Sequence, residues 1–326
     1  MDRDEIVDRL RGMFIGAFLG DAWGAPYEFR TSAKLEYTEK FTYSTEYTTR
    51  FQGTRVLEPG QVTDDSEMTL ALLRQVLEDR RYIKNNVILA YLEWANSGVW
   101  MMGKNTRALL KGVKTVKGYN ARVAKSKEKG ERSEANGSMM RASPLVLFTD
   151  FEVIEDTCLT NDNQVNTEFD VMYVTMLRLA LKGNSYQDIY DYVRDTDIDE
   201  EMFADQRDIV TNKGWIKHAM WCCLAIGNIF DSDLNGGEVF RHVMNWVIGG
   251  NRGSDTDTNA CIVGALIGAI VGYNGLLMDD IVRENIEIMM SRKPASGSTP
   301  RPEKYHPGDI FDLVEEAADL FIANHQ

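Results

Sequence analysis

An all-α fold arranged as one domain over residues 1–326 is what this sequence predicts, and three observations predict it. Apolar residues recur three or four positions apart along most of the chain, which is the period of a helix face. Alternating strand-like runs are few. With only seven prolines and no long Gly/Ser linker, nothing in the composition marks a domain boundary, and no 20–50-residue repeat appears. A hydrophobic content of 44% suffices for a sizeable core.

The helical period starts at Ile6, Leu10, Met13 and Ala17, and resumes at Met68, Leu72 and Val76, just after Asp65. It continues through Val87 to Trp94, Asp170 to Leu181, Trp215 to Phe230, Val239 to Val247 and Phe311 to Phe321. The least regular parts are expected at Thr31 to Gly60, at the charged stretch Lys125 to Glu134, and at Lys293 to Gly308, which is rich in Pro, Ser and Gly. Two helical stretches carry glycine at strict four-residue intervals, Gly16, Gly20, Gly24 and Gly264, Gly268, Gly272. Each interior glycine costs about 1 kcal/mol relative to alanine, so such rows imply a face that another backbone or a ligand approaches closely. Tight helix packing and a ligand-facing row are both open on this evidence. Asp21 and Glu28 lie beside the first row, Asp255 and Asp257 before the second.

The charge balance of 36 basic against 50 acidic residues, net −14, gives no global attraction to nucleic acid or an anionic membrane. The charge-rich start, Met1 to Asp8, lacks the pattern of a secretory signal, and the most apolar stretch, Ala260 to Val271, falls short of the roughly 18 to 20 residues that span a bilayer. A soluble, cytoplasmic protein is the expectation. Cys158, Cys222, Cys223 and Cys261 offer neither a paired C-x-x-C pattern nor a disulfide framework. His218, His242, His306 and His325 are scattered, with no i, i+4 pair. A His/Cys metal centre is argued against on both counts.

Chemistry concentrates in two oxygen-rich clusters, Thr63-Asp64-Asp65 and Asp255-Thr256-Asp257-Thr258, each just ahead of a helical segment. Adjacent aspartates repel if buried together without a cation, and carboxylates with threonine hydroxyls form the hard-oxygen set that suits Mg²⁺ or Mn²⁺. Helix capping is the competing reading for either cluster, with Thr63 or Asp64 as N-cap and Glu67 completing a capping box.

Four segments taken together carry a resemblance. They are Gly16-Ala17-Phe18-Leu19-Gly20-Asp21-Ala22-Trp23-Gly24-Ala25-Pro26-Tyr27-Glu28, Thr63-Asp64-Asp65-Ser66-Glu67-Met68, Asn136-Gly137-Ser138-Met139-Met140-Arg141, and Ser254-Asp255-Thr256-Asp257-Thr258-Asn259-Ala260. In this order the chain resembles the ADP-ribosylglycohydrolases. The resemblance implies a compact orthogonal helical bundle with two Mg²⁺ ions, or Mn²⁺, at the floor of an ADP-ribose cleft. Matched position by position, it implies Thr63, Asp64, Asp65, Asp255, Asp257 and Thr258 as metal ligands. It implies Glu28, Asp64 and Asp65 as the catalytic carboxylates, with Glu28 serving as ligand or proton acceptor. Gly103, Ser133, Asn136 and Gly137 are implied around the ligand.

The implied reaction is hydrolysis of the bond between ADP-ribose and a modified protein side chain or small acceptor, releasing ADP-ribose. Metal ions can hold vicinal ribose hydroxyls and orient the leaving group as oxocarbenium character develops. The chain departs from the family pattern in three places. Asn251 to Ser254 separate Gly249-Gly250 from Asp255, Thr160-Asn161 stands where many members have Thr-His, and Met101 stands where members acting on ADP-ribosyl-arginine often carry an acid. Arginine, serine, a metabolite, a nucleic-acid end and a polymer are all open as acceptors. A catalytically silent, ADP-ribose-binding relative is the alternative from another class. A dimetal phosphatase would bring histidines, and none lies near either cluster in the sequence. Arg141 suits either a phosphate contact or an ion pair, and Trp94, Trp100, Tyr119 and Phe148 are expected in the core rather than on an adenine.

Overall fold

The computed structural model describes residues 2–325 apart from 31–35, 43, 50–52, 199, 205 and 231–232, and only the backbone of 47–49 and 53. Its helices are α1 (Arg3–Gly24), α2 (Asp64–Asp79), α3 (Lys84–Asn96), α4 (Lys104–Leu110), α5 (Val116–Glu128), α6 (Asp150–Thr160) and α7 (Gln164–Leu181). They continue as α8 (Tyr186–Arg194), α9 (Ile216–Leu224), α10 (Gly236–Met244), α11 (Thr256–Leu276), α12 (Asp280–Ser291) and α13 (Ile310–His325). Among the described residues the only sheet is a hairpin of β1 (Thr45–Thr49) and β2 (Gly53–Leu57), antiparallel, with Thr45 opposite Leu57. The all-α expectation stands.

At the centre, α1 and α11 lie backbone to backbone. A Cβ placed on Gly16 would sit 2.2 Å from the Gly264 carbonyl oxygen, on Gly20 2.1 Å from that of Ala260, and on Gly24 2.3 Å from that of Thr256. The relation is reciprocal, since a Cβ on Gly264 would meet Gly16 O at 2.2 Å and one on Gly268 would meet Gly12 O at 2.0 Å. Both glycine rows therefore serve the close approach of two helices, and the ligand-facing reading of the rows is not needed. Gly272 is not helical, its φ of 72° breaking α11 where the Asp8 carboxylate accepts the Asn274 N–H at 3.0 Å. Such a φ is cheap for glycine and strained for a side-chain-bearing residue.

Around this pair, α2 and α13 pack on α1, and α7, α9 and α10 pack on α11. Capping boxes start α6 (Thr149, Glu152), α8 (Ser185, Asp188) and α10 (Asn235, Glu238), each satisfying two backbone donors at its end. With α11 running over 21 residues, it is longer than the apolar run read from the sequence. By length and composition it is the one helix among the described residues apolar enough to cross a membrane, and it is a mostly buried partner of α1.

The expected irregular stretches fare unevenly. Residues 31–35, 43 and 50–52 lie outside those described, but Thr45–Thr49 pairs with Gly53–Leu57 and Lys125 to Glu128 complete α5. Lys293 to Gly308 holds only short 3-10 turns. The run to Phe230 ends as helix at Leu224, and the run to Val247 passes at Asn245–Gly250 into a π-helical turn. That wider turn contains Gly249 and Gly250 and ends directly before Asn251 to Ser254.

Candidate metal centre and ligand cleft

The helix pair decides where the acidic residues meet. Because α1 and α11 touch along their glycines, the C-terminal end of α1 lies beside the N-terminal end of α11. A 3-10 turn at Ala25–Tyr27, with Pro26 inside it, then carries the chain to Glu28. The next residue ties this turn to the loop before α11, the Phe29 N–H donating to the Ser254 carbonyl at 2.9 Å. Glu28, Asp255 and Asp257 each offer a carboxylate oxygen, and these oxygens all lie within 4.8 Å of one another.

Asp21, on the last turns of α1, reaches the other cluster. Fully buried, it accepts the Thr63 N–H (2.9 Å), the Ser66 N–H (3.2 Å), the Thr63 hydroxyl (2.7 Å) and the Ser66 hydroxyl (2.5 Å). The start of α2 is thus capped from another helix, by a carboxylate placed where the helix dipole favours negative charge. This overturns the capping reading of the Thr63-Asp64-Asp65 cluster. Thr63 makes no side-chain cap bond, and Glu67 closes no box. Instead Glu67 is buried in a two-armed pair with Arg301 (2.7 and 2.8 Å) and accepts the Trp94 indole N–H at 2.8 Å. Asp255 likewise occupies the N-cap of α11 without a side-chain cap bond. Freed from capping, the cluster side chains are available to a ligand.

Asp65 is 1% exposed, has Oδ2 3.1 Å from the Thr63 hydroxyl oxygen, whose one proton the shorter bond to Asp21 takes, and has no hydrogen-bond partner at Oδ1. An orphaned buried carboxylate oxygen costs several kcal/mol unless a cation satisfies it. Asp257 accepts the Thr258 N–H at 3.0 Å, and Asp255 accepts the Asn136 amide at 2.9 Å. Burial pushes the whole set toward the protonated form. Asp64 rises to about 7 through burial and the Asp21 charge, and Asp65 rises well above its ordinary value through burial and the charges of Asp21, Asp64 and Asp255. Asp257 rises well above its ordinary value through burial and the charges of Glu28, Asp255 and Asp65, while in Asp255 burial outweighs the Asn136 hydrogen bond. Carboxylates and threonine hydroxyls so crowded fit a hard divalent cation.

Of the residues implied around the ligand, Gly103 and Asn136 touch this acidic floor. The Gly103 N–H donates to Asp64 at 3.2 Å. Asn136 holds Asp255, and its N–H donates to the Gly214 carbonyl at 2.8 Å. Gly137 follows, its carbonyl accepting from Arg141. Ser133 stands further off, on the wall of a cavity of about 350 Å³ that also takes in Asn105, Lys127, Cys158 and Asp162 and none of the clustered acids.

Arg141 settles as an ion pair. Wholly buried, it holds the Asp156 carboxylate at 2.9 Å under the face of Tyr91, and its other donors go to Asp156 O, Gly137 O and Thr160 Oγ1. Trp94, Trp100, Tyr119 and Phe148 are buried, as expected of core residues. In sequence Asp21 shows no role beyond its place beside the glycines, and Gly214 shows none, yet Gly214, with φ 76°, lies so near that a Cβ on it would stand 2.9 Å from the Asp255 carboxylate. A signal for Asp21 was available, the lone charged residue on the apolar, glycine-spaced second half of α1, Gly12 to Gly24.

The family model for ADP-ribosylglycohydrolase matches residues 2–288. A protein of Acanthamoeba polyphaga mimivirus named as an ADP-ribosyl glycohydrolase is 26% identical over 303 residues, 82% of this chain and 87% of that one. The ADP-ribosyl-[dinitrogen reductase] glycohydrolase of Rhodospirillum rubrum is 30% identical over 149 residues, 46% of this chain and 47% of its own. In fold, a structure titled ADP-ribosylglycohydrolase-related protein complex superposes with a TM-score of 0.66 at 19% identity, over 97% of this chain and 99% of that one.

Proposed function

This chain belongs to the ADP-ribosylglycohydrolase family, and from that premise we propose that it is a Mg²⁺- or Mn²⁺-dependent hydrolase that releases ADP-ribose from a modified protein side chain or small acceptor. The observation that carries the metal dependence is the buried Asp65 oxygen without a partner, set among carboxylates that repel one another. Thr63, Asp64 and Asp65 would hold the cation set from the α2 side, and Asp255, Asp257 and Thr258 from the α11 side. When bound, the cations supply charge neutralisation and Lewis acidity toward the ribose hydroxyls.

The remaining work falls to the chain's own groups. Glu28, half-buried and beside Asp255 and Asp257, accepts a proton from the water that adds to the anomeric carbon. The bond to the acceptor breaks as that addition proceeds, and the acceptor leaves with a proton. Asn136 and Gly103 fix the carboxylates of Asp255 and Asp64. With Gly137 and Ser133 they form the side of the cleft that receives the rest of ADP-ribose.

The test is to incubate the purified protein with Mg²⁺ and a panel carrying ADP-ribose on arginine, serine, a metabolite, a nucleic-acid end or a polymer, and to follow free ADP-ribose. Release from at least one substrate that stops in excess EDTA is expected. Release undiminished by EDTA would refute the metal, and no release from any would refute the activity.

A further inference from the structure

The loop 133–137 that this reading assigns to ADP-ribose is built unusually. Its carbonyl oxygens are taken by side-chain amides from the end of α6 and the start of α7. The Asn161 amide donates to both Ser133 O (2.9 Å) and Ala135 O (3.0 Å). Asn163 donates to Ser133 O at 2.9 Å, and Asn166 donates to Ala135 O at 2.8 Å. At the far end of the loop the Gly137 carbonyl accepts from Arg141 at 2.7 Å. The two anchors are joined, because Arg141 also donates to the Thr160 hydroxyl (2.8 Å), and that hydroxyl donates to Asn161 Oδ1 at 2.7 Å. Asn161 is 1% exposed, and the donors and acceptor of its amide are all engaged.

A trans peptide is planar, so its N–H points opposite to its C=O. Turning Ser133 O toward α7 turns the Glu134 N–H to the other face of the loop, and turning Ala135 O the same way sends the Asn136 N–H to Gly214 O. The asparagines thus fix the loop's peptide planes, and through Asn136 they fix the amide that holds Asp255. A loop held in one conformation before its ligand arrives binds without losing that ordering entropy.

We propose that Asn161, helped by Asn163, is a positioning residue for ADP-ribose binding, acting by clamping the 133–135 carbonyls rather than by touching the ligand. The proposal rests on the reading of loop 133–137 as an ADP-ribose element.

Calorimetric titration of ADP-ribose into the Mg²⁺-loaded protein tests it, alongside kcat and KM and a Mg²⁺ titration of the metal-free protein. Two lost hydrogen bonds of ordinary strength correspond to about a 10- to 30-fold loss, so Asn161→Ala should weaken ADP-ribose binding and raise KM by that factor. Its kcat should stay within about threefold, and its Mg²⁺ affinity should fall by less than its ADP-ribose affinity. Asn163→Ser keeps an N-cap for α7, where Asn163 accepts the Asn166 N–H, and removes one clamp, so about a fivefold loss is expected. This second variant serves should Asn161→Ala fail to fold. Asn136→Ala separates the two levels of the argument. If it leaves ADP-ribose binding unchanged, the assignment of the loop is wrong. If it weakens binding while Asn161→Ala and Asn163→Ser do not, the clamp is refuted. A loss in Asn161→Ala confined to kcat would also overturn the positioning role.

Discussion

Replacing Gly20 by alanine tests whether the contact of α1 with α11 builds the acidic floor. The new Cβ would stand 2.1 Å from the Ala260 carbonyl oxygen, 2.5 Å from its carbon and 3.0 Å from the Cys261 nitrogen. All three are backbone atoms, so no rotamer change relieves the clash, and the helices must separate by about 1 Å to restore ordinary contact. Overpacking of this kind costs about 1–3 kcal/mol and sometimes more, and a rigid backbone partner argues for the upper end. Alanine returns about 1 kcal/mol of helix propensity. A net loss of at least about 2 kcal/mol is expected, equivalent to a fall of about 3 °C in Tm for a chain of this length. Urea denaturation followed by far-UV circular dichroism reads it. Gly118→Ala is the control, since its Cβ meets only side-chain atoms of Val113 and Thr115 at 3.2 and 3.3 Å, and it should change stability by less than about 1 kcal/mol. Because Asp21 follows Gly20 directly, the separation should also weaken Mg²⁺ binding. A Gly20→Ala protein as stable as the parent would show that the helix contact is not what its geometry says.

Three further outcomes follow from the site. Asp65→Asn should abolish turnover and, in the metal-free protein, raise the melting temperature, because the buried carboxylate is held uphill by its neighbours; retention of near-parental turnover would remove Asp65 from the ligand set. Glu28→Gln should lower the single-turnover rate by about 10²- to 10⁴-fold with a much smaller change in ADP-ribose affinity, whereas a rate restored by added Mn²⁺ or Mg²⁺ would make Glu28 a ligand rather than a proton acceptor. The third concerns pH. A carboxyl whose folded value is raised contributes stability that is fully present below its unfolded value and lost as pH climbs through the folded one. For Asp64 that window runs from 3.8 to about 7 and corresponds to at most about 4 kcal/mol. In EDTA, the stability advantage of Asp64→Asn over the parent should therefore grow between pH 4 and pH 8, and a shrinking advantage would contradict the burial of that charge.

By itself the sequence determined what depends on local periodicity and local chemistry. The helical repeat places the elements, because a face that buries apolar residues every three or four positions has no comparable strand solution. The glycine rows at Gly16 and Gly264 announce a face that a backbone or a ligand approaches closely, because their cost must be repaid, and the fold fills that face with the opposing helix. The pairing of Thr63-Asp64-Asp65 with Asp255-Thr256-Asp257-Thr258 is legible because carboxylates gathered in a core require a cation. Tertiary structure alone decided which groups satisfy which. Glu67, three residues beyond Asp64, has the spacing of a capping box, yet it pairs with Arg301 234 residues away, while Asp21 caps α2 from 42 residues before Thr63. Arg141 suited a phosphate as well as an acid until packing placed it against Asp156. Asn161 reads as a missing histidine in sequence and as a backbone clamp in the fold. In each case the side chain's chemistry permits several partners, and the choice among them is made by helix contacts between segments far apart in the chain, which no local pattern encodes.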